Sequence, residues 1–199
     1  MSFKEYWGGQ FGNPTGVGGK IVTFLMNRMN RAMYKVLLQE VRNNTKVLDI
    51  GFGNGYMLKR LLKVSGSSFY GIDISSDMVR TVIRKNKKSI EKNRLNVSKS
   101  SVDSIPFEES FGQVYTINTI YFWDDLLTGF KEIFNRLESG GEFLNVCYTK
   151  RWLDKLSYTK NYKKYEEEEI LKVIKQAGFT AEIVPIKKGK SFFIKAKKP

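Results

Sequence analysis

Val47-Leu48-Asp49-Ile50-Gly51-Phe52-Gly53-Asn54-Gly55 is the stretch that decides how this chain of 199 residues is read. Val47, Leu48 and Ile50 make a short apolar strand, with Asp49 set into its carboxyl end. Glycines at alternate positions follow, and Tyr56-Met57-Leu58-Lys59-Arg60-Leu61-Leu62 then takes up helical spacing. The pattern predicts a strand, a tight turn and a helix. Glycine permits positive φ and, lacking a Cβ, lets a ligand lie against the backbone, while the helix start turns unpaired N–H groups toward the same crevice. A second apolar run, Phe69-Tyr70-Gly71-Ile72-Asp73-Ile74, brings Asp73 to the end of the next strand. In nucleotide-binding α/β folds an acidic residue about 20 positions after the turn accepts hydrogen bonds from ribose hydroxyls. These residues together propose a bound nucleoside.

Glycine spacing narrows the choice of nucleoside. The dinucleotide pattern G-x-G-x-x-G needs a third glycine where Tyr56 stands. From Asp49 through Gly55 the chain instead reads D-x-G-x-G-x-G. This resembles the first motif of the class I S-adenosylmethionine-dependent methyltransferases. The resemblance implies S-adenosyl-L-methionine as cofactor, with Asp49, Gly51, Phe52, Gly53 and Gly55 around its methionine moiety, Asp73 on the ribose, and Ile74 and Met78 beside the adenine. A tight turn without a ligand is the competing account, and three closely spaced glycines weigh against it because each is costly in chain entropy. For Ile74 and Met78, plain packing of a helix on the sheet suits the pattern equally.

Two further segments carry the resemblance, with departures. Ser101-Val102-Asp103-Ser104-Ile105-Pro106-Phe107 occupies the place where many members have an acidic residue ahead of a leucine-proline-phenylalanine triplet. Counted back from Pro106, Ser101 stands at the position of the aspartate that contacts the adenine amino group; Ser101 still accepts a hydrogen bond, and the Val102 N–H is available to adenine. Asp103, two residues on, reads as an exposed cap or a cofactor neighbour. Gly112 replaces the usual aspartate before strand four, Gln113-Val114-Tyr115-Thr116-Ile117. Ligands bind outside the carboxyl ends of strands in open α/β sheets, so Asn118 and Thr119 are expected on the cofactor side, and Tyr121 and Trp123 as walls for the substrate. Packing of the aromatic residues at the start of the next helix is the other reading of Tyr121 and Trp123.

Composition bounds the function classes. Hydrophobic residues make up 41% and aromatics 14%, which is globular rather than disordered. One cysteine, Cys147, rules out an internal disulfide framework and reads as a buried thiol. With no histidine and one cysteine, no metal is expected. A net charge of +14 would attract nucleic acid or an anionic membrane, yet it also fits solvated lysine-rich helix faces. No apolar run approaches the length of a membrane span and the first residues lack a signal-peptide layout, so the expectation is a cytoplasmic protein.

Ahead of the first strand, Val22, Leu25, Met26, Met29, Met33, Val36, Leu37 and Val41 recur at helical steps. By resemblance, residues 1–42 form a lid segment and residues 43–199 the cofactor-binding core of a single methyltransferase domain. Alternating strand and helix patterns, ending in Thr180 to Ile186 and Ser191 to Ala196, imply an α/β, Rossmann-like, doubly wound fold. Its seven-stranded sheet is mostly parallel and closes with a C-terminal antiparallel hairpin. Helices are read up to Ser139-Gly140-Gly141, before a fifth strand over residues 142–149, and from Glu166 to Gly178. The implied reaction is methyl transfer to a small apolar or aromatic molecule. RNA or a membrane-associated lipid or quinone is the alternative target, although the Asn-Pro-Pro-Tyr-type motif of amino-group DNA methyltransferases is absent. No residue has a context that marks it as a catalytic base.

Overall fold

Strand β1 (Lys46–Ile50) is apolar on both faces, because helices cover the sheet on both sides. The structure, a computed structural model, describes residues 27–64, 66–187 and 189–199. The other strands are β2 (Ser68–Asp73), β3 (Leu95–Lys99), β4 (Phe111–Ile117), β5 (Leu137–Tyr148), β6 (Thr180–Lys187) and β7 (Ser191–Lys197). Together they form one sheet of seven strands in the order β3-β2-β1-β4-β5-β7-β6. β1 to β5 pair in parallel, whereas β7 runs antiparallel to both β5 and β6. The expected Rossmann-like sheet and its terminal hairpin are therefore present.

Side chains alternate between two cores. Val47, Phe69, Tyr115 and Leu144 join Met33 and Leu37 of α1 (Arg31–Glu40) and Leu58 and Leu61 of α2 (Tyr56–Val64). Val82 of α3 (Ser76–Lys85) completes that layer, and α4 (Lys87–Glu91) follows it. On the opposite face Leu48, Val114 and Phe143 meet Phe130 and Ile133 of α5 (Leu126–Arg136), and Ile170 and Ile174 of α7 (Glu167–Gln176). Between β5 and α7 lies a short α6 (Lys150–Leu153). The ends of the helices follow local chemistry. Ser75 Oγ accepts the Met78 N–H at the start of α3, and Glu166 and Glu169 form a reciprocal capping box on α7.

Three local expectations need correction, and the departure at Gly112 gains a physical reason. Residues 100–110, between β3 and β4, form no helix; Ile105 and Phe107 are buried there and Tyr70 packs on Phe107 and Phe111 at 5.1 and 5.2 Å, so aromatic rings cover the sheet where a helix would. The ladder of β5 begins at Leu137, paired with Phe111, and the Ser139–Gly141 stretch is a register irregularity inside the strand, with Gly140 at φ 73°, rather than a loop before it. Gly112 is glycine for close packing, since a Cβ there would lie 2.0 Å from Thr45 Oγ1. Finally, the helical pattern from Val22 to Val41 is not one helix. Residues 27–29 form a helical turn that breaks at buried Asn30 before α1 begins. Val22, Leu25, Met26 and the aromatic and glycine-rich residues before them lie outside the described residues.

Candidate active site

The five parallel strands β1 to β5 end on the same side of the sheet, and a cleft of about 840 Å³ opens there. The β1–α2 turn forms its floor. Gly51 N–H donates to Ile72 O at 2.8 Å and Gly53 N–H to Asp73 Oδ2 at 2.8 Å, so the turn is tied to β2 at two points. Gly51, Gly53 and Gly55 all have positive φ, but they serve different ends. A Cβ on Gly51 would lie 2.4 Å from Thr119 Cγ2, and one on Gly55 2.6 Å from Val82 Cγ2, while one on Gly53 would meet nothing within 4 Å. Only Gly53 is bare toward open space. The reading that all three clear room for a ligand is corrected accordingly, and Gly55, held behind the turn by α3, does not line the cleft.

The other residues proposed for the cofactor side, Asp49, Gly51, Phe52, Gly53, Asp73, Ile74, Met78, Ser101, Val102, Asp103, Asn118 and Thr119, all line this cleft. Asp73 is 8% exposed and accepts the Gly53 and Ser75 N–H groups, one on each carboxylate oxygen. Ile74 is 67% exposed at the rim. An apolar side chain so open beside a cleft has little to gain unless something covers it. Thr119 packs under Gly51 and its hydroxyl pairs with that of Thr116. Asn118 sits at φ 57°, a left-handed conformation that asparagine tolerates, and so turns the chain out of β4 into the cleft wall.

Of the two substrate-wall candidates, the structure separates Trp123 from Tyr121. Trp123 lines the large cleft and packs edge-on against Phe130 at 5.3 Å. Tyr121 faces instead a small adjoining pocket of about 60 Å³, together with Met29, Tyr148, Leu153, Tyr158 and Tyr162. Its hydroxyl is fixed by the Tyr148 backbone, accepting from N–H at 2.6 Å and donating to the carbonyl at 3.1 Å. Phe122 borders both spaces and is 48% exposed. Sequence reasoning did not single it out. Nor did it find Asn30, whose Oδ1 accepts from Asn118 Nδ2 at 3.1 Å and from Tyr148 Oη at 2.8 Å. A polar residue in the middle of an apolar helical stripe was the available signal.

Charge in the cleft runs opposite to the rest of the chain. Its described lining holds five aspartates, Asp49, Asp73, Asp77, Asp103 and Asp124, against one arginine, Arg80. Burial pushes the Asp49 carboxyl up to about 8, against the hydrogen bond from Tyr115 Oη at 2.7 Å and with the help of the Asp73 charge. Asp73 is likewise raised by burial and held down in part by its two backbone N–H partners. Burial also lifts Cys147, Tyr121 and Tyr148 well above their ordinary values, so all three are neutral at pH 7.

Comparison with known proteins bears on the same region. Residues 48–145 match the methyltransferase domain family. The chain belongs to the class I S-adenosylmethionine-dependent methyltransferases. Two similar proteins of Bacillus subtilis (strain 168) are the uncharacterized methyltransferase YdaC, 25% identical over 126 residues, and the putative methyltransferase YrhH, 29% identical over 106. Those matches cover 61% and 52% of this chain, and 67% and 58% of the relatives. A SAM-dependent methyltransferase from Aquifex aeolicus has the same fold, with a TM-score of 0.74 at 22% identity, covering 87% of this chain and 93% of that one. S-adenosyl-L-methionine is thus the cofactor of this methyltransferase. The cleft suits it, because a sulfonium and an ammonium are drawn to a lining in which aspartates outnumber the one arginine, whereas the pyrophosphate of a dinucleotide would be repelled. Among the described residues no cluster suited to a metal ion occurs, and no helix is long and apolar enough to cross a membrane.

Proposed function

We propose that this methyltransferase acts on a small, uncharged, apolar or aromatic acceptor. The observation that carries this reading is the small pocket beside the cleft, whose described lining has no charged side chain and four tyrosines. S-adenosyl-L-methionine supplies an already activated methyl group, so most of the acceleration falls to positioning. In this reading Asp73 accepts from the ribose hydroxyls, Ile74 and Met78 flank the adenine, and Ser101, Val102 and Asp103 border its edge. Asp49, Gly51, Phe52, Gly53, Asn118 and Thr119 surround the methionine moiety. Phe122 and Trp123 form the acceptor wall nearest the cofactor, with Tyr121 deeper in. An aromatic face there excludes water and favours a cationic sulfonium. Residues 1–42 act as the lid of a single domain whose core is residues 43–199; Asn27, Asn30 and Tyr34, already on the cleft wall, support that role. Cys147, Tyr121 and Tyr148 are neutral at pH 7, so none of the three as an anion takes the proton that a phenol or indole gives up on methylation.

Incubation with methyl-labelled cofactor and a panel of phenols, indoles and charged amines or acids tests the acceptor class. Label should enter neutral aromatics; label confined to charged acceptors would overturn the reading. Phe122→Ala should then raise the acceptor KM at least about fivefold, as loss of a buried aromatic contact predicts, with the cofactor dissociation constant within twofold. An equal loss in both would move Phe122 to the cofactor site.

Asp49 sets a pH dependence. Its folded value near 8 lies above the unfolded value of about 4, so its contribution to stability is greatest in acid and is lost as pH rises toward 8. A bound cation favours the ionised carboxylate, and cofactor binding below pH 8 therefore releases a proton. Calorimetry should show affinity for S-adenosyl-L-methionine rising by about threefold or more between pH 6 and 8. Asp49→Asn should flatten that rise, and an unchanged slope in the variant would assign the proton elsewhere.

A further inference from the structure

Charge is divided unevenly along this chain. Residues 1–99 hold 18 of the 34 lysines and arginines but 6 of the 20 aspartates and glutamates, which places +12 of the net +14 there. Two of those six carboxylates, Asp49 and Asp73, are buried in the cofactor cleft. The fold gathers the excess on one face of the sheet. Tyr34 of α1 packs on Tyr56 of α2 at 4.8 Å, and Gly55 at the head of α2 abuts Val82 of α3, so these helices form one continuous layer. Lys59, Lys63, Arg84, Lys85, Lys88 and Lys92 are all exposed on it. Among the described residues the ion pairs on α2 to α4 are Arg80–Asp77 and Lys87–Glu91, which leave those six without a carboxylate. Residues 1–26 carry one acidic side chain, Glu5, too few to neutralise the layer. Partial burial and then the like charges of Lys59 and Arg84 hold the Lys85 ammonium below the usual lysine range.

We propose that the outer face of α1 to α4 docks double-helical nucleic acid through its phosphates. Crowded, unpaired cations raise the free energy of the free protein, and a polyanion both relieves that repulsion and gains entropy by releasing counterions. Two features favour a nucleic-acid duplex over the other polyanionic partners. Membrane-surface helices pair basic residues with apolar ones that insert, yet Ile83 is the sole exposed large apolar side chain among the described residues of α1 to α4. Single strands are held on exposed aromatic platforms, and the tyrosines of this face, Tyr34 and Tyr56, are engaged with each other. The surface therefore reads shape and charge. It does not depend on which acceptor is methylated.

Fluorescence anisotropy of labelled RNA and DNA hairpins, titrated with the full chain at several salt concentrations, tests the assignment. Binding to either should weaken steeply with salt. The variant Lys59→Gln, Lys63→Gln, Arg84→Gln, Lys85→Gln, Lys88→Gln should bind at least tenfold more weakly. Its log–log salt slope should be shallower by about 4, since each of the five lost phosphate contacts removes roughly 0.7 to 0.9. Lys131→Gln, Lys172→Gln, Lys175→Gln, on helices of the opposite face, should change affinity less than threefold. Calorimetry with S-adenosyl-L-methionine on the same variants reads the cofactor site separately and should be unaltered. Equal losses in the two variants, no salt-dependent binding by the parent, or binding to anionic vesicles but not to either hairpin would overturn the proposal.

Discussion

Asp73→Ala should raise the dissociation constant for S-adenosyl-L-methionine by at least about 100-fold, the largest binding effect of any single substitution in the cleft. A hydrogen bond to an ionised group contributes roughly 1.5 to 3 kcal/mol, and two ribose hydroxyls on one carboxylate would lose about 3 to 6 kcal/mol together. The variant also orphans the Gly53 and Ser75 N–H groups, which now end on Asp73 at 2.8 and 2.9 Å. Loosening the glycine turn and the start of α3 compounds the direct loss. Asp73→Asn retains one acceptor oxygen and should fall between the parent and the alanine variant. Asp103→Ala, at an exposed rim position, should cost less than threefold. Calorimetry on the three variants decides the matter. Should Asp73→Ala bind within threefold of the parent, the carboxylate serves only to tie the turn to β2.

Gly51→Ala is expected to be the most destabilising small substitution in the turn. Its φ of +74° lies where an L side chain is strained, and the new Cβ would sit 2.4 Å from Thr119 Cγ2. Thr119 cannot simply rotate away, because its hydroxyl pairs with Thr116 Oγ1, which in turn donates to Ile50 O at 2.8 Å. Backbone strain of about 1 to 2 kcal/mol and overpacking of about 1 to 3 kcal/mol give roughly 2 to 5 kcal/mol. In a domain of this length that lowers Tm by about 5 to 15 °C. Gly53→Ala provides the contrast, with similar φ but open space around the added methyl. It should cost no more than about 1 to 2 kcal/mol of stability while intruding on the cleft and weakening cofactor binding. A Tm for Gly51→Ala within about 2 °C of the parent would show that the turn repacks freely.

Much of this architecture was legible from local pattern. Alternating apolar runs and helical spacings foretold β1, α2, β2 and the terminal hairpin, and the cap residues Ser75 and Glu166 marked helix starts that the structure contains. The third crossover was misread, because Ile105 and Phe107 are apolar residues that cover the sheet from an extended loop, which no periodicity announces.

What the amino-acid order determined by itself was the fold and the kind of cofactor, since a glycine turn between a strand and a helix, with a carboxylate one strand over, is a short-range pattern. Tertiary structure alone decided which glycine faces open space, that Tyr121 points away from the large cleft, and that Asn30 joins the N-terminal helix to Asn118 and Tyr148. It also decided that five aspartates converge in a chain of net charge +14 while the unpaired lysines gather elsewhere. The reason is physical: propensity and periodicity act over a few residues, whereas crowding at a Cβ, burial of a carboxyl and the clustering of like charges depend on neighbours that the sheet order brings together from distant parts of the chain.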